Sequence, residues 1–203
     1  MSTHPKNGPL TGVVLAGGHS TRMGRDKALL TLAKDLTLLD HAINTLRAAG
    51  ATEVLVSVRP GQSYGKPGTR EIVDSSEECG PLAGLVAALT AATTDYVAVL
   101  AVDLPEMTPA YLLQLVGQVD AGVGAVPLRG KFFEPLAAVY PRLALQPAHA
   151  ALSSRSFSLQ TLVRELVSSG LIKPVPVEPS DIALFSNWNS PGDCSKPIRH
   201  NPP

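Results

Sequence analysis

Between residues 15 and 27 the chain reads Leu-Ala-Gly-Gly-His-Ser-Thr-Arg-Met-Gly-Arg-Asp-Lys. Gly17 and Gly18 let the backbone approach a ligand closely and turn its N–H groups inward, as in an anion nest. Arg22 and Lys27 bring two positive charges to the same stretch, with Gly24 between them. The chemistry that uses such parts is polyphosphate binding. The spacing fits neither a Walker A loop nor Gly-x-Gly-x-x-Gly. A solvated tight turn is the plainer use of the same residues.

Further along, Asp103-Leu-Pro105 follows an apolar run. A carboxylate there is placed either to hold Mg²⁺ against phosphate oxygens or to end a turn, and residue type alone does not choose between them. Asp74 precedes Glu77, Glu78 and the block Gly80-Pro81-Leu82. Three acids so close usually form a solvated loop. Asp74 is also an acceptor-only group suited to an amine-bearing base. Asn187 and Asn189 share one face if their segment is extended, which fits either reading of a polar heterocycle or a turn-forming pair. The five histidines share no metal-ligand spacing, and Cys79 and Cys194 form neither a CxxC nor a zinc pattern.

These groups must be held by something. Residues 11–16 form a short apolar run closed by glycines, the pattern of a buried strand. Thr37 caps a predicted helix with Leu39, Ala42, Ile43, Leu46 and Ala49 on one face and Gly50 behind it. Strands are predicted at 53–58, 70–73 and 96–102. Pro81 opens a helix through 82–92, and Thr108-Pro109 opens one to about 119. Residues 123–127 and 132–140 read as strands about an Arg129-Gly130 turn, although Pro135 inside the second implies an edge or a bulge. Ser158 caps a helix carrying Leu159, Leu162, Val163 and Leu166. Pro174 and Pro176 confine 171–177 to a sheet edge. Apolar strands alternate with amphipathic helices, so the expected fold is α/β and Rossmann-like: a mostly parallel central sheet covered by helices on both faces. Ligands bind such sheets beyond the carboxyl ends of the strands, which is where the candidate residues fall.

The 203 residues suit one domain, expected over 11–193, with a disordered lead-in at 1–10 and a flexible tail at 194–203. With 17 Lys+Arg against 17 Asp+Glu the net charge is zero, so no nucleic-acid footprint is expected. No apolar run is long enough to span a bilayer, no signal peptide is expected at the N-terminus, and the two cysteines suit a reducing compartment. The expected setting is the cytoplasm, without membrane contact.

The stretch from Leu15 to Ala28 resembles the LAGGxSxRMGxDK signature of small nucleotidyltransferases, and most of all the molybdenum cofactor guanylyltransferase (MobA) family. Gly80-Pro-Leu-Ala-Gly84, Val102-Asp103-Leu-Pro105, Glu134-Pro-Leu136 and Asn187-x-Asn189-x-Pro191-x-Asp193 agree with it. The resemblance implies a nucleotide-diphospho-sugar-transferase-like fold. It also implies transfer of GMP from GTP to the terminal phosphate of molybdopterin, with pyrophosphate released and Mg²⁺ as the cofactor. In that picture Leu15, Ala16, Gly17 and Gly18 contact the nucleotide through the backbone, and Arg22 and Lys27 bind its phosphates. Asp74, Gly80, Pro81 and Leu82 lie beside the guanosine, Asp103 holds the metal, and Asn187 and Asn189 line the pterin side. Ser57 stands where the family often has a nucleotide-contacting Asn. A monomer is expected, with molybdoenzyme chaperones as candidate receivers of the product. The rivals are a cytidylyl- or sugar-phosphate nucleotidyltransferase and a non-catalytic nucleotide-binding relative.

Overall fold

The computed structural model of the chain describes residues 8–17, 26–33, 35–74 and 79–188. The sequence elements Gly18, Arg22, Glu77, Glu78, Asn189 and both chain ends to residues 7 and 190 lie outside the described residues.

Strand β1 (Leu10–Leu15) lies inside the sheet, between two other strands. A small antiparallel hairpin, β2 (Thr31–Ala33) and β3 (Leu36–Thr37), precedes helix α1 (Leu38–Ala48). Then come β4 (Ala51–Val58), β5 (Arg70–Val73), α2 (Pro81–Ala91), β6 (Tyr96–Ala101) and α3 (Pro109–Val116). The last part contains β7 (Gly124–Arg129), β8 (Phe132–Phe133), β9 (Ala137–Pro141), α4 (Leu145–Ser153), α5 (Leu159–Ser168) and β10 (Ile172–Pro176). The main sheet runs β10-β7-β9-β6-β1-β4-β5, with β8 paired to β7. Parallel pairing joins β6, β1, β4 and β5, while β9 runs against both its neighbours.

Alternation along the strands divides the core into two layers. Leu10, Val14 and Val56 pack with α1 and α3 on one face. Val13, Leu55 and Val99 pack with α2, α4 and α5 on the other. Gly12 makes the first layer possible: a Cβ there would sit 3.1 Å from the Cβ atoms of both Ala51 and Leu46, so glycine lets α1 lie close to β1. The expected mostly parallel sheet with helices on both faces is therefore observed.

The helix starts follow the predicted caps. Thr37 and Asp40 form a reciprocal capping box on α1, Thr108 accepts from the Tyr111 N–H, and Ser158 accepts from the Thr161 N–H. Gly50 takes φ 94° behind α1, a conformation that glycine adopts without a Cβ clash. β10 is an edge strand, as Pro174 and Pro176 require.

One predicted strand is corrected. Residues 132–140 are two strands, β8 and β9, separated by Glu134-Pro135-Leu136. Proline lacks an N–H for the ladder, and the Pro135 carbonyl is held instead by the hydroxyl of fully buried Tyr140 at 2.8 Å. Helix α4 and the β2–β3 hairpin have no counterpart in the predicted elements. No helix among the described residues is long and apolar enough to cross a membrane.

Candidate active site

Register brings the chemistry to one rim. Leu15 pairs with Ser57 on one side and Ala101 on the other, and Val58 pairs with Val73. The residues just past these strands, Ala16, Arg59, Asp74 and Asp103, therefore emerge together. They line a cavity of about 340 Å³ with Leu15, Gly17, Lys27, Ser57, Gly80, Pro81, Gly84 and Leu136.

On one side of this cavity the Lys27 ammonium stands 3.2 Å from Asp103 Oδ2, each side chain being 19% exposed. Seventy-six residues apart in sequence, they are joined by the fold. Lys27 opens a short 3-10 turn whose cap is Asp26, which accepts from the Ala28 N–H. The other carboxylate oxygen of Asp26 accepts from Gln62 Nε2 at 2.6 Å and from the Tyr64 hydroxyl at 2.9 Å. Burial, then the hydrogen bond to Asp26, push the Tyr64 phenol well above its ordinary range, so it remains a donor. The loop after β4 thus anchors the backbone that carries Lys27. Asp103 is fixed from another direction, because its carbonyl accepts the Trp188 N–H at 3.0 Å. Trp188 and Phe185 are buried in the core beneath it, with Phe185 edge-on to Tyr111 at 5.4 Å between centroids.

The other side of the cavity is built around α2. Gly80, with φ 59°, precedes the helix and offers no side-chain cap, and Pro81 fills the first helical position. The N-terminal end of α2 consequently borders the cavity with its backbone. One turn on, a Cβ placed on Gly84 would sit 3.0 Å from both Leu15 Cδ2 and Ser57 Oγ, and 3.5 Å from Asp74 Oδ2. Glycine keeps this corner open. Leu82 turns its side chain into the core and is wholly buried, outside the cavity lining. Asn187 is exposed, one residue before Trp188, and does not line the cavity; Asn189 lies beyond the described residues.

The sequence reading missed Arg59. It follows β4 and lines the cavity, its stem alongside Gly17: a Cβ on that glycine would be 3.7 Å from Arg59 Cγ. A lone arginine before Pro60-Gly61 carries no motif, and only its position past a parallel strand marks it.

A glycine-bordered strand end facing a lysine and a carboxylate fits nucleotidyl transfer, and the comparisons place the chain accordingly. The model for the MobA-like NTP transferase domain matches residues 12–169. The chain belongs to that family. Within it, the chain is 40% identical to a probable molybdenum cofactor guanylyltransferase from Opitutus terrae, covering 94% of this chain and 95% of that one. It is 34% identical to the molybdenum cofactor guanylyltransferase of Xanthomonas euvesicatoria, over 96% and 97% of the two chains. Its fold is shared with the molybdopterin-guanine dinucleotide biosynthesis protein A of Archaeoglobus fulgidus, with a TM-score of 0.71 at 22% identity over 91% and 94% of the chains. Membership of the MobA-like family agrees with the resemblance carried by residues 15–28.

Proposed function

We propose that this protein transfers GMP from GTP to the terminal phosphate of molybdopterin. A phosphate oxygen of the pterin attacks the α-phosphorus, the bond to the bridging oxygen of the β-phosphate breaks, and pyrophosphate leaves. The observation that carries the reading is the convergence of Lys27, Asp103 and the α2 N-terminal end on one cavity, within a chain 40% identical to a probable molybdenum cofactor guanylyltransferase.

Each group has a task that follows from its chemistry. The attacking phosphate is already ionised near neutral pH, so no general base is required. Two polyanions must instead be brought together in line, which makes positioning and electrostatics the main contributions. Lys27 offsets charge on the phosphates, joined by Arg22 from the glycine loop. The backbone of Leu15, Ala16, Gly17 and Gly18 holds the nucleotide close to the strand ends. Asp74, Ser57 and the Gly80-Pro81-Leu82 backbone lie beside the guanosine, and Asn187 and Asn189 face the pterin.

Asp103 suits a Mg²⁺ ion shared with substrate. It is a hard oxygen donor at a strand end, and among the described residues no group of three His, Cys, Asp or Glu forms a protein-only cage. Mg²⁺ characteristically takes one or two carboxylates and completes its shell with phosphates and water. When bound it supplies charge stabilisation and a template for the phosphates. Lys27 holds Asp103 Oδ2 in place at 3.2 Å, so the lysine also orients the carboxylate. The setting proposed is the cytoplasm, with the protein acting as a monomer and passing product to molybdoenzyme chaperones.

The test is pyrophosphate release from GTP, CTP and ATP in the presence of molybdopterin and Mg²⁺. GTP-dependent release is expected. Release with CTP, or only with a sugar phosphate as acceptor, would replace this reading with the cytidylyl- or sugar-phosphate alternative. Tight GTP binding without turnover would point to a non-catalytic relative.

A further inference from the structure

Arg59 has no part in the mechanism above, yet it stands in the cavity wall beside Asp74. The Asp74 N–H donates to the Val58 carbonyl at 2.8 Å, extending the β4–β5 ladder by one step and setting Arg59 and Asp74 side by side. Arg59 is also fixed at its root. Its backbone N–H and its Nε both approach Gln62 Oε1, at 3.2 and 3.5 Å, and Gln62 is held in turn by Asp26 and Tyr64. The two terminal nitrogens of the guanidinium have no hydrogen-bond partner among the described residues.

We propose that Arg59 determines base specificity by donating to the O6 and N7 acceptors of guanine while Asp74 accepts from its N1–H and amino group. This rests on the guanine nucleotide of the proposed reaction. The pair is a row of donors next to an acceptor-only group, and guanine presents the reverse order along one side. Adenine and cytosine would each set an exocyclic amine against the guanidinium, donor against donor. Arg59 stands next to Asp74 at the β4–β5 rim with its stem alongside Gly17, and affinity for inorganic tripolyphosphate separates a base contact from a phosphate contact.

The experiment compares GTP with 7-deaza-GTP, which lacks the N7 acceptor, in the wild-type protein and in Arg59→Ala, reading KM and kcat separately. The wild type should lose roughly tenfold in kcat/KM on 7-deaza-GTP. Arg59→Ala should raise KM for GTP with little change in kcat, and should no longer distinguish the two nucleotides. A retained 7-deaza penalty in Arg59→Ala would overturn the proposal, as would an unchanged KM. So would an equal loss of affinity for inorganic tripolyphosphate, which would move Arg59 to the phosphates. If Arg59→Ala fails to fold, Arg59→Gln takes its place, keeping one donor and an intermediate penalty. Indifference of the wild type to GTP, CTP and ATP would sink the guanine reading itself, an outcome separate from all of these.

Discussion

On the flank formed by β1, β4, β5 and β6, four parallel strands each deliver a cavity group just past their carboxyl ends: Gly17, Arg59, Asp74 and Asp103. On the flank formed by β9, β7 and β10, Leu136 alone among the described residues lines the cavity. The direction of β9 explains the contrast. Because it runs against β6, its amino end is at the rim, and the space there is taken by the Glu134-Pro135-Leu136 segment, whose Leu136 carbonyl accepts the Ala101 N–H at 2.8 Å. This flank spends its side chains on holding itself together. Arg129 pairs with Glu134 at 2.7 Å, Lys173 pairs with Asp120 at 2.6 Å, and Gln160 exchanges two hydrogen bonds with the backbone of Phe133. Parallel strand ends gather chemistry at one edge, and the reversed strand braces the site.

The comparison predicts that damage on the first flank abolishes activity and spares the fold. Asp103→Asn should abolish Mg²⁺-dependent turnover with an unchanged melting temperature, and Lys27→Ala should lose about 2–4 kcal/mol of transition-state stabilisation. Steady-state kinetics beside a thermal melt checks both. Wild-type-like turnover in Asp103→Asn would remove that residue from the mechanism, and a loss below about tenfold would make Lys27 peripheral.

Two glycines sharpen the same contrast with one substitution. A Cβ on Gly124, in β7, would lie 2.2 Å from the Val139 carbonyl oxygen, so Gly124→Ala must force the strands apart. The expected cost is about 3 kcal/mol of stability, seen in denaturant unfolding, with kcat of the remaining folded protein preserved. Gly84→Ala meets Leu15 and Ser57 at 3.0 Å, inside the cavity wall. Its expected effect is a KM for GTP raised by roughly tenfold, with a smaller change in stability. If the two variants traded phenotypes, the division of labour between flanks would be wrong.

What the sequence reveals follows this division. Asp103 and Lys27 lie on short, distinctive motifs, and their strands show as apolar runs, so the rim was legible before the fold was known. The caps at Thr37, Thr108 and Ser158 were legible because a single side-chain acceptor does the work locally. Helix α4 was hidden for the opposite reason: Ala144 provides no side-chain cap, and Pro147 stands in the first turn, where its missing N–H costs nothing but erases the helical signature. Arg59 was hidden because its meaning lies in neighbours it acquires only on folding. Trp188 shows the same limit. Its backbone ties Asp103 to the end of the described chain, a contact no local pattern announces.

A smaller effect is expected within the bracing flank. Tyr140 is wholly buried, burial raises its phenol pKa, and its hydroxyl donates to the Pro135 carbonyl. Tyr140→Phe keeps the ring and leaves that carbonyl without its donor, for a loss of about 1–2 kcal/mol in denaturant unfolding. Since Leu136 adjoins this segment, KM should rise modestly while kcat holds. A fall in kcat without loss of stability would assign the segment a part in catalysis.

The smallest effect lies on the nucleotide flank, away from the cavity, in the box that begins α1. Burial alone would raise the Asp40 pKa, but hydrogen bonds from Lys66 and Thr37 outweigh it and hold the carboxyl below its ordinary value of 3.8. A lowered folded-state pKa means the unfolded chain binds the proton first as pH falls. The contribution is therefore complete above the ordinary carboxylate range and disappears as pH drops through the lower folded value. Because the Asp40 side chain is partly open to solvent, at 27% exposure, and its ion pair with Lys66 is screened, the expected size is a fraction of a kcal/mol. Asp40→Asn should flatten the acid limb of the stability curve below about pH 4 while leaving nucleotide KM unchanged. An Asn variant with the same acid slope as wild type would show that the box contributes through geometry alone, without linkage to the proton.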